Sequence, residues 1–148
     1  MEKPSFVYVT YIVTTPQKVW NAITDETESA AYWQRANVSD WKPGSAWAHQ
    51  FPGKPADLVG QVLEADPPNR LVLTWAGPAH VDNPDRVSRV AFDIVAMGEK
   101  VRLSITHTEL TEQGLKDVST GWPAVLANMK TYLETGRTMP DAFGGIHE

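Results

Sequence analysis

The chain has 148 residues and no cysteine, and its 13 Lys and Arg against 18 Asp and Glu leave a formal charge of −5. That excludes disulfides, thiolate metal sites and cysteine nucleophiles; with no basic face for a phosphate backbone, no nucleic-acid partner is expected. Six Trp, four Tyr and four Phe carry too much apolar surface for a disordered chain, and a chain of this length buries about two-thirds of its surface in one core.

Residues 5–14, SFVYVTYIVT, are β-branched and aromatic and predict a strand. Val7, Val9, Tyr11 and Val13 share one face, and Phe6, Tyr8 and Ile12 make the other apolar too, so both faces are expected to be at least partly covered. Thr15-Pro16 opens a helix, with Thr15 as N-cap and Val19, Trp20 and Ile23 as its buried face. Asp25–Ser29 breaks it, and a second short helix runs to Trp33. Residues 39–44, SDWKPG, read as a turn. Ser45–Phe51 alternates, which puts Trp47, His49 and Phe51 on one face. After a Pro/Gly loop, 57–65 and 70–76 form a hairpin turning at Asp66-Pro67-Pro68-Asn69. Loop 77–85 is polar. A second hairpin, 86–96 and 100–109, turns at Met97-Gly98-Glu99.

Val118, Trp122, Val125, Leu126, Met129 and Leu133 make one helical stripe, predicting the longest helix near 118–135. Pro123 either starts that helix or kinks its first turns, and Gly136 suits its C-terminal cap. A single domain is expected over 1–136, with 137–148 a loose tail. No run approaches 18 apolar residues, so no membrane span is expected. The N-terminus has no apolar signal region, which with the absence of cysteine points to the cytoplasm.

Six strands adjacent in sequence make an antiparallel sheet, and one long helix across its concave face leaves space between the layers. Four ordered motifs carry a resemblance over residues 6–136. They are Thr-Pro-Gln-Lys-Val-Trp at 15–20, Asp-Trp-Lys-Pro-Gly-Ser at 40–45, Gly60 through Trp75, and Gly-Trp-Pro-Ala-Val-Leu at 121–126 with Leu-Glu-Thr-Gly at 133–136. The chain resembles the SRPBCC (START-related) superfamily, in its activator-of-heat-shock-ATPase-homologue branch. The resemblance implies an α+β helix-grip fold: a curved six-stranded sheet around the C-terminal helix, two short helices after the first strand, and a hydrophobic cavity. It further implies a lipid, sterol, polyketide or other apolar ligand. The short 77–85 loop, a departure from many relatives, is expected to open one cavity mouth.

Trp33, Trp47, His49, Phe51, Trp75, His107, Trp122, Leu126 and Met129 are the candidate lining of that cavity: large rings with a few polar groups to orient a ligand. The alternative is that the rings fill the core. His49 and His107 could orient a ligand or move protons, although satisfied core or strand-end histidines are the preferred reading. Glu64 would be a buried, perturbed carboxylate if inward and a solvated strand residue if outward. No GxSxG, HExxH or phosphate-loop motif occurs, so no cofactor or metal is expected. Three functions stay open: a small-ligand binding protein, which is preferred; a polyketide cyclase-type enzyme using His49, His107 or Glu64; and a chaperone-accessory or other interaction module. A homodimer is left open.

Overall fold

The structure is a computed structural model, described over residues 3–143. Its first strand, β1 (Phe6–Ile12), runs into helix α1 (Pro16–Thr24). Thr15 caps α1 as expected, its Oγ1 accepting the Lys18 N–H at 3.3 Å. Asp25 then ends α1 and caps α2 (Glu26–Trp33), its carboxylate accepting the Glu28 N–H at 2.9 Å.

Seven strands follow the helix-grip plan rather than six: β1, β2 (Ala36–Ser39), β3 (Ala46–Gln50), β4 (Ala56–Asp66), β5 (Arg70–Trp75), β6 (Ser88–Met97) and β7 (Lys100–Thr108). The extra one is β2. Four residues are too few to show a period of two, yet Ala36 to Ser39 pair with Gln50 to Trp47 of β3. The spatial order is β1-β7-β6-β5-β4-β3-β2, and every pair is antiparallel. The chain starts at one edge, crosses through α1 and α2 to the other, and returns strand by strand until β7 closes on β1.

Helix α3 (Glu112–Thr135) is the longest, with 24 residues. It starts before the stripe that announced it, because Thr111 caps it by accepting the Gly114 N–H at 2.9 Å. Pro123 sits inside without ending it. The bond that Pro123 cannot donate would have gone to the carbonyl of Ser119, an exposed residue. Gly136 closes the helix at φ 77°, its N–H bonded to the Tyr132 carbonyl at 2.8 Å.

The C-terminal half of α3 is tied to α2. Asn128 Nδ2 donates to the Tyr32 carbonyl at 2.5 Å, and the Tyr132 hydroxyl donates to Glu28. Beneath it lies an aliphatic core of Ile12, Val19, Ile23, Ile94, Val101, Leu103, Leu126 and Met129, with Trp20 beside it. The N-terminal face of the second layer is therefore structural, as Val19, Trp20 and Ile23 suggested. The outward face of β1 differs from expectation: Val7 is 59% exposed, and Val9, Tyr11 and Val13 are exposed too. Only the Phe6, Tyr8 and Ile12 face is covered, since β1 is an edge strand with the helices on one side. Beyond α3, Met139 N–H donates to Asn128 Oδ1 at 2.7 Å and Phe143 packs against the core. The remainder of the expected tail, 144–148, lies outside the described residues.

Candidate functional site

The inward period of each strand brings large or polar residues to one end of the sheet. They are His49 on β3, Leu58 on β4, Trp75 on β5, Ser88 at the start of β6 and His107 near the end of β7. Trp33 ends α2 above them, and Trp122 faces them from α3. Trp122 meets both other indoles at a tilt, Trp33 at 5.5 Å between centroids and 57° and Trp75 at 5.5 Å and 46°, while Trp33 and Trp75 stack at 6.5 Å and 27°. Tilted indoles do not close a layer as interlocking aliphatic chains do. A cleft of about 700 Å³ stays open between this end of the sheet and the N-terminal half of α3. Gly77, His80 and Arg86, from the loop between β5 and β6, and Val118 and Gly121 of α3 border it.

Of the nine candidate lining residues, five border the cleft: Trp33, His49, Trp75, His107 and Trp122. Four do not. Trp47 is buried behind Trp75, 5.4 Å between centroids. Its indole lies across Gly60 to donate to the Thr74 carbonyl at 2.7 Å. A Cβ at Gly60 would stand 2.0 Å from that carbonyl oxygen, so only glycine admits the crossing. Phe51 is 42% exposed. Strand β3 ends at Gln50 after a register shift between His49 and Gln50, so the alternation that would have turned Phe51 inward is broken. Its ring lies 3.5 Å under the Arg35 guanidinium. Leu126 and Met129 keep to the helical stripe but fall on the half of α3 that seals the aliphatic core.

Two hydrogen-bond systems stand behind the aromatic wall. In the first, Trp122 Nε1–H donates to His107 Nδ1 at 3.1 Å. His107 Nδ1 therefore carries no proton, and Nε2–H donates to Ser88 Oγ at 2.8 Å. Ser88 in turn donates to the Trp75 carbonyl at 3.1 Å. Both ring nitrogens of His107 are occupied, and burial holds its pKa down to about 4. In the second, Asn37 Nδ2 donates to the Ile23 carbonyl at 2.8 Å, which turns Oδ1 toward His49 Nδ1, 2.6 Å away. His49 is 4% exposed. Burial, and then the Arg35 guanidinium, push its pKa down to about 3, partly opposed by Asp57. Arg35 Nε is paired with Asp57 at 2.6 Å on the rim.

Glu64 is exposed and accepts from Arg70 Nε at 3.1 Å, away from the cleft. His49, His107 and Glu64 thus do not converge on one point, the geometry that acid–base chemistry among them requires. Among the described residues no three His, Asp or Glu lie close enough together to hold a metal ion, and no helix is long and apolar enough to cross a membrane.

Sequence reasoning passed over Asn37, Ser88, Arg35, Asp57 and Phe143. Ser88 had a signal: a polar residue in phase with Val90, Phe92 and Ile94 on a buried face. Asn128 carried the same signal on the stripe of α3.

Residues 13–134 match the family described as "Activator of Hsp90 ATPase homolog 1-like protein". The fold is shared with the crystal structure of CalU16 from Micromonospora echinospora, at 23% identity over 89% of this chain and 77% of that one, TM-score 0.73. PFC0360w from Plasmodium falciparum, an HSP90 activator, has 20% identity over 87% and 95%, TM-score 0.74. The Aha1 dimer from Colwellia psychrerythraea has 18% identity over 90% and 98%, TM-score 0.75. No curated protein matches the chain significantly.

Proposed function

Because the chain belongs to the family of Activator of Hsp90 ATPase homolog 1-like proteins, and its helix-grip layers part at one end, we propose that it is a binding protein for a small aromatic or apolar molecule. The observation that carries this is the cleft of about 700 Å³ walled by Trp33, Trp75 and Trp122. That volume suits a ligand of two to four fused rings, within the usual range for small-molecule sites. Burying such a ligand against indole faces gains both apolar area and ring–ring attraction. Isothermal titration with a polycyclic aromatic probe tests the proposal: saturable one-to-one binding, weakened at least tenfold by Trp75→Ala, is expected. Equal binding by the variant would contradict it.

A second reading draws on β1. Its exposed stripe of Val7, Val9, Tyr11 and Val13 lies on an edge strand, a surface on which a second copy or another protein can pair. The HSP90 activator PFC0360w and the Aha1 dimer, which share this fold, agree with an interaction role or a homodimer. Light scattering across a concentration series tests the homodimer. A Val9→Lys variant should stay monomeric if the wild type does not.

A further inference from the structure

We infer that the cleft selects a neutral aromatic molecule carrying a hydroxyl of the phenol type, whose O–H is donated to Nε2 of His49. This rests on the proposal that the cleft binds an aromatic ligand and names what that ligand must present.

The argument starts from Asn37. Its amide nitrogen is committed to the Ile23 carbonyl and its backbone N–H to Ser29 Oγ at 2.9 Å, so the amide is held in one orientation. Its Oδ1 can only accept. The proton between Oδ1 and His49 therefore sits on Nδ1, and a neutral imidazole with Nδ1–H has a bare lone pair on Nε2. His107, in contrast, is held in the opposite tautomer with both nitrogens occupied.

Nε2 of His49 has no partner among the described residues, yet no fully buried side-chain nitrogen or oxygen among them lacks one. Both statements hold together only if Nε2 is reached from the cleft that His49 borders. It is a single acceptor set among the rings of Trp33, at 4.5 Å between centroids, and Trp75, at 6.0 Å. An acceptor buried in an aromatic wall favours a ligand that brings a donor hydrogen and penalises one that brings only carbon there. Among the described residues, the charges bordering the cleft are two guanidinium groups, Arg35 and Arg86, against three carboxylates, Asp57, Glu109 and Asp117. That balance does not attract an anion, and a carboxylate or phenolate has no hydrogen to give to Nε2.

The test compares β-naphthol, its methyl ether and naphthalene by calorimetry on the full chain at neutral pH. The naphthol is expected to bind about tenfold tighter than the other two, the upper range for one net hydrogen bond. His49→Phe should remove that preference, so that the naphthol and its ether bind the variant equally. Because this variant strips Asn37 of its partner and could fail to fold, the wild-type nitrogen-15 resonances of His49 provide a second measurement. Nε2 should have the shift of an unprotonated ring nitrogen and move upfield with the naphthol but not with the ether. Equal binding of all three probes, or a preference that survives His49→Phe, or a protonated Nε2, overturns this inference and leaves the aromatic-ligand reading standing. If none of the three binds, that reading falls, and this inference falls with it.

Discussion

The space between sheet and α3 is filled in two ways. At one end Ile12, Val19, Ile23, Leu103, Leu126 and Met129 are all 1% exposed or less, a closed aliphatic layer. At the other end Trp33, Trp75, Trp122, His49 and His107 meet at tilts of 36–69° where their contacts are edge or tilted, and a cleft remains. Branched aliphatic chains interlock to near-crystal density; planar rings tilted against one another leave gaps between them. The same helix thus seals one end and walls the other, and the two ends should respond differently to the same insult.

The largest difference should come from removing a ring at the closed end. Trp20→Ala is expected to cost about 3–5 kcal/mol in urea unfolding, because the surroundings cannot collapse onto the gap. A loss under 1 kcal/mol would show that the closed end is not close-packed.

Acid should attack the open end. His49 and His107 have native pKa values of about 3 and about 4, below the ordinary 6.5 of the unfolded chain. Between pH 6.5 and about 4 the unfolded state binds more protons, so stability rises with pH and is lost as pH falls. Two such groups imply a slope of about 2–3 kcal/mol per pH unit between pH 6 and 4.5. His49→Gln should remove about half of that slope in denaturation at stepped pH. An unchanged slope would mean that His49 is not held neutral.

Trp75→Ala should cost only about 1–2 kcal/mol, well below the penalty for a fully enclosed ring, because the cleft already exposes one side of it. Its main effect should be on probe binding, a reversal of the Trp20→Ala outcome. The smallest effect is expected outside both ends. Glu64→Gln removes one partner of Arg70, which keeps Asp93 at 2.6 Å, and should change stability by less than about 0.5 kcal/mol and leave binding unchanged. A measurable loss of binding would return Glu64 to the site.

Much of this was legible in the residues. Thr15-Pro16, the two hairpins, the stripe on α3 and Gly136 gave the helix-grip order, because caps, turns and periodicity are local. Strand β2 was hidden, since four residues carry no period and its pairing with β3 is long-range. The candidate wall was half legible. Period two put Trp75 and His49 inward, but it could not show that β3 ends before Phe51 or that Trp47 is drawn over Gly60 to the next strand. The helical stripe likewise named Trp122, Leu126 and Met129 together, although the cleft reaches only the first. Tautomers were out of reach of sequence, because they depend on Asn37 and Ser88 arriving from other strands.

The six indoles supply the most direct measurement of whether the open end is a binding site. In a nitrogen–proton correlation spectrum each tryptophan gives its own indole N–H signal. Titration with β-naphthol should shift the signals of Trp33, Trp75 and Trp122 saturably with a single dissociation constant, and leave that of Trp20 in place. No shift in any cleft indole up to the solubility limit, or an equal drift of Trp20 with the others, would contradict a ligand site at the open end.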